Sequence, residues 1–316
     1  MPAAPDKPDV ADTRTADGAD ASPTKSRWGL HEGDEIVPGL SAIKRLGGGL
    51  RYEAYLAWAD RLRALVVVKV VRPGLVEDRR TLEGLRSEVE LLDRLDHPVV
   101  VRSFGAELEG PRPHVVLEHL EGPRLSSLRR RYGALLPEQL VALGIELCAA
   151  VHYLAGEEVV HLDIKPSNVI MGGPPRLIDL SVGRTVAQCA QLRSPVGTDA
   201  YMAPEQADPA AGLPIGSAAD VWGLGVTLFE ALAAERPFGK GTRDSRVPGE
   251  RFPQLVEQPG QLGAKVPAAL AAPIMSCLAR DPADRPTAGE LADRLELVLD
   301  GLPKPSLSKL KPRIQR

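Results

Sequence analysis

The stretch His161-Leu-Asp-Ile-Lys-Pro-Ser-Asn168 decides how the rest of the 316-residue chain is read. Within it an acid (Asp163), a cation (Lys165) and an amide (Asn168) lie close together, and Pro166 stiffens the turn between them. Apolar residues at helical spacing, Leu140 through Leu154, run up to it, and the strand-like Leu177-Ile-Asp-Leu-Ser181 follows. That run carries a second acid, Asp179, 11 residues past Asn168.

Further out the texture changes. Residues 35 to about 120 hold short β-type runs, Leu65-Val-Val-Val-Lys-Val-Val71, Val99-Val-Val101 and His114-Val-Val-Leu-Glu118. One helical stretch interrupts them, with Leu82, Leu85, Val89, Leu92 and Leu95 at three- and four-residue spacings. From Pro137 onward the patterns are helical, at Leu140–Leu154, Asp220–Ala234, Ala268–Leu278 and Ala288–Leu299. Asp220–Ala234 is apolar nearly all round and is expected at the centre of a domain. The expected fold class is α+β, one two-lobed domain over residues 28–300. A small antiparallel β-rich N-lobe with one main helix (about 35–121) meets a larger helical C-lobe (about 122–300) near Glu121 to Leu125. Residues 1–27 lack apolar periodicity and are expected to be disordered; 301–316, with five Lys/Arg and no acid, read as a basic tail.

At 43% hydrophobic the chain can bury a sizeable core, and aromatics at 4% leave aliphatic side chains and Ala to fill it. A formal charge of -3 gives no global footprint for nucleic acid or a membrane surface. No apolar run approaches the ~20 residues of a membrane span. The N-terminal Met1-Pro-Ala-Ala-Pro-Asp-Lys-Pro8 has no basic region leading into an apolar one, so no signal peptide is expected. Cys148, Cys189 and Cys277 are scattered without metal-ligand spacing, which suits a reducing cytoplasmic setting, and Cys189 falls in an expected loop.

A polar turn that only caps a helix does not need an acid, a cation and an amide in this order. Phosphoryl transfer does: a carboxylate accepts and orients the attacking hydroxyl, a cation sits on the transferring phosphoryl, and oxygens ligate a divalent ion. Asp163, Lys165 and Asn168 supply one of each. The loop resembles the catalytic loop of bacterial Hanks-type Ser/Thr protein kinases, and a Lys two residues after the Asp is the Ser/Thr rather than the Tyr version. The resemblance covers about residues 38 to 300 and implies ATP as the phosphoryl donor, with Mg²⁺, or alternatively Mn²⁺, held by Asn168 and Asp179. It implies that Lys69 holds the α- and β-phosphates with Glu88, nine residues before His97-Pro98, as its ion partner. An isolated strand Lys would ordinarily face water.

Upstream, Leu46-Gly-Gly-Gly-Leu-Arg-Tyr-Glu-Ala-Tyr55 resembles the family's phosphate-covering loop, with Gly47 and Gly49 letting backbone amides approach phosphates. A dinucleotide-binding turn is the competitor, but it needs a helix next, and Tyr52, Ala54 and Leu56 alternate like a strand. The resemblance further implies that Ala54 and Val67 sandwich adenine. Leu117 is then the gatekeeper, and the backbones of Glu118 and Leu120 meet the adenine edge. Gly197-Thr-Asp-Ala-Tyr-Met-Ala-Pro-Glu205 resembles the substrate-binding loop, with Thr198 bonded near Asp163 and Lys165. Glu205 is expected to pair with Arg285, and Asp220 to brace the catalytic loop from the buried helix. Protein substrates are the implied partners, with no nucleic acid and no membrane span. No sensor domain is expected beside the two lobes, so a regulatory partner, the tails or expression level is expected to supply control.

Four departures bear on mechanism. Leu162 replaces the Arg that normally precedes the catalytic Asp and holds a phosphorylated activation loop. Phosphate at Thr185 or Ser194 would lose that anchor, so activity without activation-loop phosphorylation is expected. Leu180 and Ser181 replace Phe and Gly after Asp179, and Ser lacks glycine's freedom at positive φ. Ala54 and Val67 look like an exchanged pair that keeps the adenine pocket's volume. Tyr52 replaces the third family glycine and either covers the phosphates or clashes with them. Two other readings compete with an active kinase. A pseudokinase serving as a nucleotide-binding scaffold draws on the eroded glycine loop, and a small-molecule phosphotransferase on the related fold.

Overall fold

Alternating β-branched and apolar residues fold the first part of the chain into one antiparallel six-stranded sheet, ordered β1-β2-β3-β4-β6-β5. Its strands are β1 (Glu35–Val37), β2 (Leu40–Gly48), β3 (Tyr52–Ala59), β4 (Ala64–Val71), β5 (Ser103–Glu107) and β6 (His114–Glu118). The computed structural model describes residues 26–264 and 266–302. The two expected tails therefore lie almost wholly outside the described residues.

The period of two in β4 sorts its side chains. Val66, Val68 and Val70 join Ile36, Tyr55 and Ala57 in a core on one face. Val67 and Lys69 take the other face, where Leu56 and Ala54 stand opposite them in register. Helix α1 (Arg79–Arg94) covers this second face. It starts where the Asp78 side chain accepts the Thr81 amide, and it buries Thr81, Leu85, Glu88, Leu91 and Leu92.

The Val99-Val-Val101 run is not the strand expected there. These residues are buried, and Val99 and Val101 exchange backbone hydrogen bonds with Leu177 across the lobes. The strand is β5, whose Ser-Phe-Gly-Ala-Glu sequence is mostly exposed and so shows no apolar alternation. The other expected runs coincide with β4, α1 and β6.

After β6 the chain enters the C-lobe through α2 (Leu125–Tyr132) and α3 (Pro137–Gly156). Short elements then frame the cleft: β7 (Val159–Val160), β8 (Val169–Ile170), β9 (Arg176–Leu177), β10 (Arg184–Thr185), α4 (Val186–Cys189) and α5 (Pro204–Ala207). The lobe is completed by α6 (Ser217–Ala233), α7 (Pro248–Arg251), α8 (Ala268–Ser276) and α9 (Ala288–Gly301). As its all-round apolarity requires, α6 is buried along nearly its whole length, and α3 packs between α6 and α9. One expectation is corrected here: α3, at 20 residues, is by length and composition apolar enough to cross a membrane. Its buried Leu140, Leu147 and Leu154 belong to the C-lobe core.

Candidate active site

The stretch 161–168 forms the loop between β7 and β8. Asp220, buried in α6, accepts the amides of His161 (2.7 Å) and Leu162 (2.8 Å). Burial pushes its carboxyl up to about 6, against the pull of those bonds and His161. Leu162 adopts φ 63°, a left-handed conformation that the two anchored amides hold in place. Within the loop, Asp163 Oδ2 accepts from Lys165 Nζ (2.6 Å) and Asn168 Nδ2 (3.2 Å). Asp163 Oδ1 is buried and has no hydrogen-bond partner among the described residues. An unpaired buried carboxylate oxygen is costly, and a substrate hydroxyl would satisfy it. Lys165 also donates to Thr198 Oγ1 (2.6 Å), so the expected Thr198 contact is made to Lys165.

Across the cleft, Lys69 Nζ lies 2.8 Å from Glu88 and 2.9 Å from Asp179. Burial pulls the ammonium down, but the two carboxylates outweigh it and raise its pKa. Burial raises Glu88. Burial also acts upward on Asp179, but Lys69 wins and holds its carboxyl far below the usual range. Ser181 contributes a smaller lowering in the same direction. Asp179 itself sits at φ 72°. Leu180 is buried, as an apolar slot requires.

Asn168 uses its amide nitrogen on Asp163, which leaves its amide oxygen for a ligand, and Asp179 uses Oδ1 on Lys69. These are hard oxygen donors, suited to a divalent cation. Among the described residues no cluster of three or more His, Cys, Asp or Glu is arranged to hold a metal. A cation here would complete its shell with water or phosphate oxygens.

The nucleotide side differs from expectation at the glycines. Positive φ falls at Gly47 (147°) and Gly48 (153°), not at Gly49. A Cβ at Gly48 would meet the Tyr52 carbonyl and lie 2.9 Å from Glu53 Cα, whereas Gly47 and Gly49 have nothing within 4 Å. The tight approach of β2 to β3 thus belongs to Gly48, and the space around Gly49 is open. The loop is also anchored. Arg72 Nε donates to Gly49 O (2.9 Å), and its backbone amide donates to Arg51 O (2.9 Å). That guanidinium is paired to the fully buried Glu53 (3.2 Å) and also reaches Ser26 O (2.9 Å), a residue expected in the disordered tail. Neither Arg72 nor Glu53 stands out in the sequence, because neither has a periodic or motif signal.

Ala54 and Val67 share the cleft face of the sheet, diagonal to one another. Leu117 is buried opposite Val67. The Glu118 carboxylate is drawn into a pair with Arg176 (2.9 Å), so Glu118 has only its backbone to offer a base. The Leu120 amide makes no hydrogen bond among the described residues.

On the substrate side, Gln206 Nε2 donates to both Leu162 O (2.9 Å) and Val196 O (3.0 Å), binding the activation segment to the catalytic loop. Gly197, at φ 122°, makes the closest approach: a Cβ there would lie 2.5 Å from Leu162 O. Thr185 uses its hydroxyl as the cap of α4, accepting the Gln188 amide. Glu205 and Arg285 form a fully buried bidentate pair (2.7 and 2.8 Å). Arg251 holds Asp199 (2.9 Å), and Gln254 donates to Asp199 O (2.8 Å), fixing the loop that follows Thr198. The reading of Cys189 as a loop thiol is corrected: it is buried at the end of α4, and burial pushes its thiol up to about 11.

A β-rich lobe carrying a Lys–Glu pair, joined to a helical lobe carrying the Asp163–Asn168 loop, defines a protein kinase. A family model described as the protein kinase domain matches residues 40–295, and the chain belongs to that family. It is 33% identical over 244 residues to the serine/threonine-protein kinase PkaA of Streptomyces coelicolor, covering 75% of this chain and 44% of that protein. It is 30% identical over 272 residues to the serine/threonine-protein kinase PknB of Mycobacterium tuberculosis, covering 82% of this chain and 42% of that protein. The chain thus spans less than half the length of these relatives.

Proposed function

We propose that this chain is a Ser/Thr protein kinase that transfers the γ-phosphoryl of ATP to Ser or Thr hydroxyls of protein substrates. The observation that carries this reading is the unpartnered Asp163 Oδ1 in a cleft whose Lys69–Glu88–Asp179 contacts are already closed. The substrate oxygen attacks the γ-phosphorus, the bond from that phosphorus to the β–γ bridging oxygen breaks, and ADP leaves. Asp163 accepts the hydroxyl proton. Lys165 offsets charge on the transferring group, and its bond to Thr198 couples that cation to the substrate-binding loop. Lys69 holds the α- and β-phosphates while Glu88 fixes its position. Mg²⁺, or Mn²⁺, would be held by Asn168 and Asp179 oxygens and supplies neutralisation of the phosphate charge.

The chemistry is proposed to run without activation-loop phosphorylation. Leu162 is a buried apolar residue where a phosphate anchor would stand, and neutral hydrogen bonds from Gln206 hold the segment. A cytoplasmic setting fits three free, buried thiols. A regulatory partner remains part of the proposal.

Incubation with ATP labelled at the γ-phosphate, with Mg²⁺ and casein, tests the reading. Label should pass to casein or to the protein itself and fall by about 10²-fold or more in Asp163→Asn, the scale of a lost general base. Retained Mg-ATP binding with no transfer by the parent would favour the scaffold reading instead.

A further inference from the structure

Tyr52 opens β3 on the sheet face shared with Lys69. Its hydroxyl donates to Thr81 O (2.9 Å), in the first turn of α1. Lys69 Nζ lies over its ring, 4.9 Å from the centroid. Asp78 caps the same turn through both the amide (2.8 Å) and the hydroxyl (2.7 Å) of Thr81, so the carbonyl is offered from a fixed turn. Thr81, Gly84 and Glu88 follow one another at helical spacing, which puts the carbonyl and the Lys69 partner on one side of α1. Gly84 leaves the room: a Cβ there would lie 3.2 Å from the Tyr52 hydroxyl. Burial pushes the phenol up to about 12.

We infer that Tyr52 is a positioning residue that ties the phosphate-covering loop to α1, and so keeps Glu88 on Lys69 without a phosphorylated activation segment. Its hydroxyl turns to α1 while its ring stays against Lys69. The catalytic consequence rests on the kinase reading above; the tie itself does not.

The test compares the full chain with Tyr52→Phe, which removes only the hydroxyl. Hydrogen exchange is followed in α1, with α6 as the internal reference, and kcat/KM for ATP is measured with casein. Exchange in α1 should speed up about fivefold, the scale of one net hydrogen bond, with α6 unchanged and kcat/KM down by a similar factor. Gly84→Ala should lower kcat/KM in the parent and have less effect in the Tyr52→Phe background, where the crowded oxygen is gone. Parent-like exchange of α1 in Tyr52→Phe overturns the tie, whatever the activity does. Equal loosening of α1 and α6 overturns it too, since Tyr52 would then only support the fold. Selective loosening of α1 in Tyr52→Phe, beside a parent that transfers no phosphoryl, upholds the tie and sinks the kinase reading.

Discussion

Ala54 and Val67 lie diagonal to one another on one face of neighbouring strands, and we propose that they form a compensating pair around adenine, in the reverse order of the valine and alanine that the kinase resemblance implies. Ala54→Val would set a valine on both sides of an adenine ring and overfill the slot. ATP affinity should fall about tenfold or more, the scale of an overpacked site, and Val67→Ala added to it should restore binding. Titration with ATP checks this, and unchanged affinity in the single variant would remove the compensation argument. Tyr52 was legible only as an unusual residue in a glycine loop. Its partner, a backbone carbonyl on α1, carries no side-chain signature. The sequence does not single out Gly48 from Gly49, because three consecutive glycines look alike until backbone angles distinguish them.

The activation segment carries its own prediction at the scale of an element. Its ties include Gln206 to Leu162 O and Val196 O, the Gly197 approach, and the β10–β7 pairing. The doubly substituted Thr185→Ala, Ser194→Ala protein should keep most of the parent's transfer rate to casein, and abolished transfer would contradict phosphorylation-independent control. The Glu205–Arg285 pair joins α5 to the turn after α8, and Arg285 also donates to Ala218 O at the start of α6. Both charges are fully buried, so Glu205→Ala leaves an uncompensated guanidinium and should cost about 3–5 kcal/mol of stability in denaturant unfolding. This pair was legible from the sequence because each partner stands in a recognisable motif. Gln206, one residue along, was not, since a lone Gln after an acid has no pattern to mark it.

For the whole molecule, Asp220 predicts how stability responds to pH. Its carboxyl rises from the ordinary 3.8 to about 6 on burial, so between these values the folded state binds the extra proton. The stability this group contributes is therefore full below about pH 4 and lost as pH rises through about 6. The change is at most about 3 kcal/mol. Urea unfolding of the parent minus that of Asp220→Ala should show the parent's advantage shrinking from pH 4.5 to 7; an advantage that grows would refute it. The same burial that raises Asp220 is what lets α6 serve as the post on which the catalytic loop is hung.

The sequence by itself determined the two-lobed order of elements, through period-two runs before residue 120 and helical runs after 137. It also named the chemical groups, because Asp163, Lys165 and Asn168 lie within one short loop. Only the tertiary structure decided what holds those groups in place: Tyr52 against Thr81, Arg72 against Gly49, and Gln206 against Leu162 and Val196. Each of these is a side chain reaching a backbone carbonyl in a separate element. Every residue but its neighbours offers such a carbonyl, so no local pattern says which one packing will bring near.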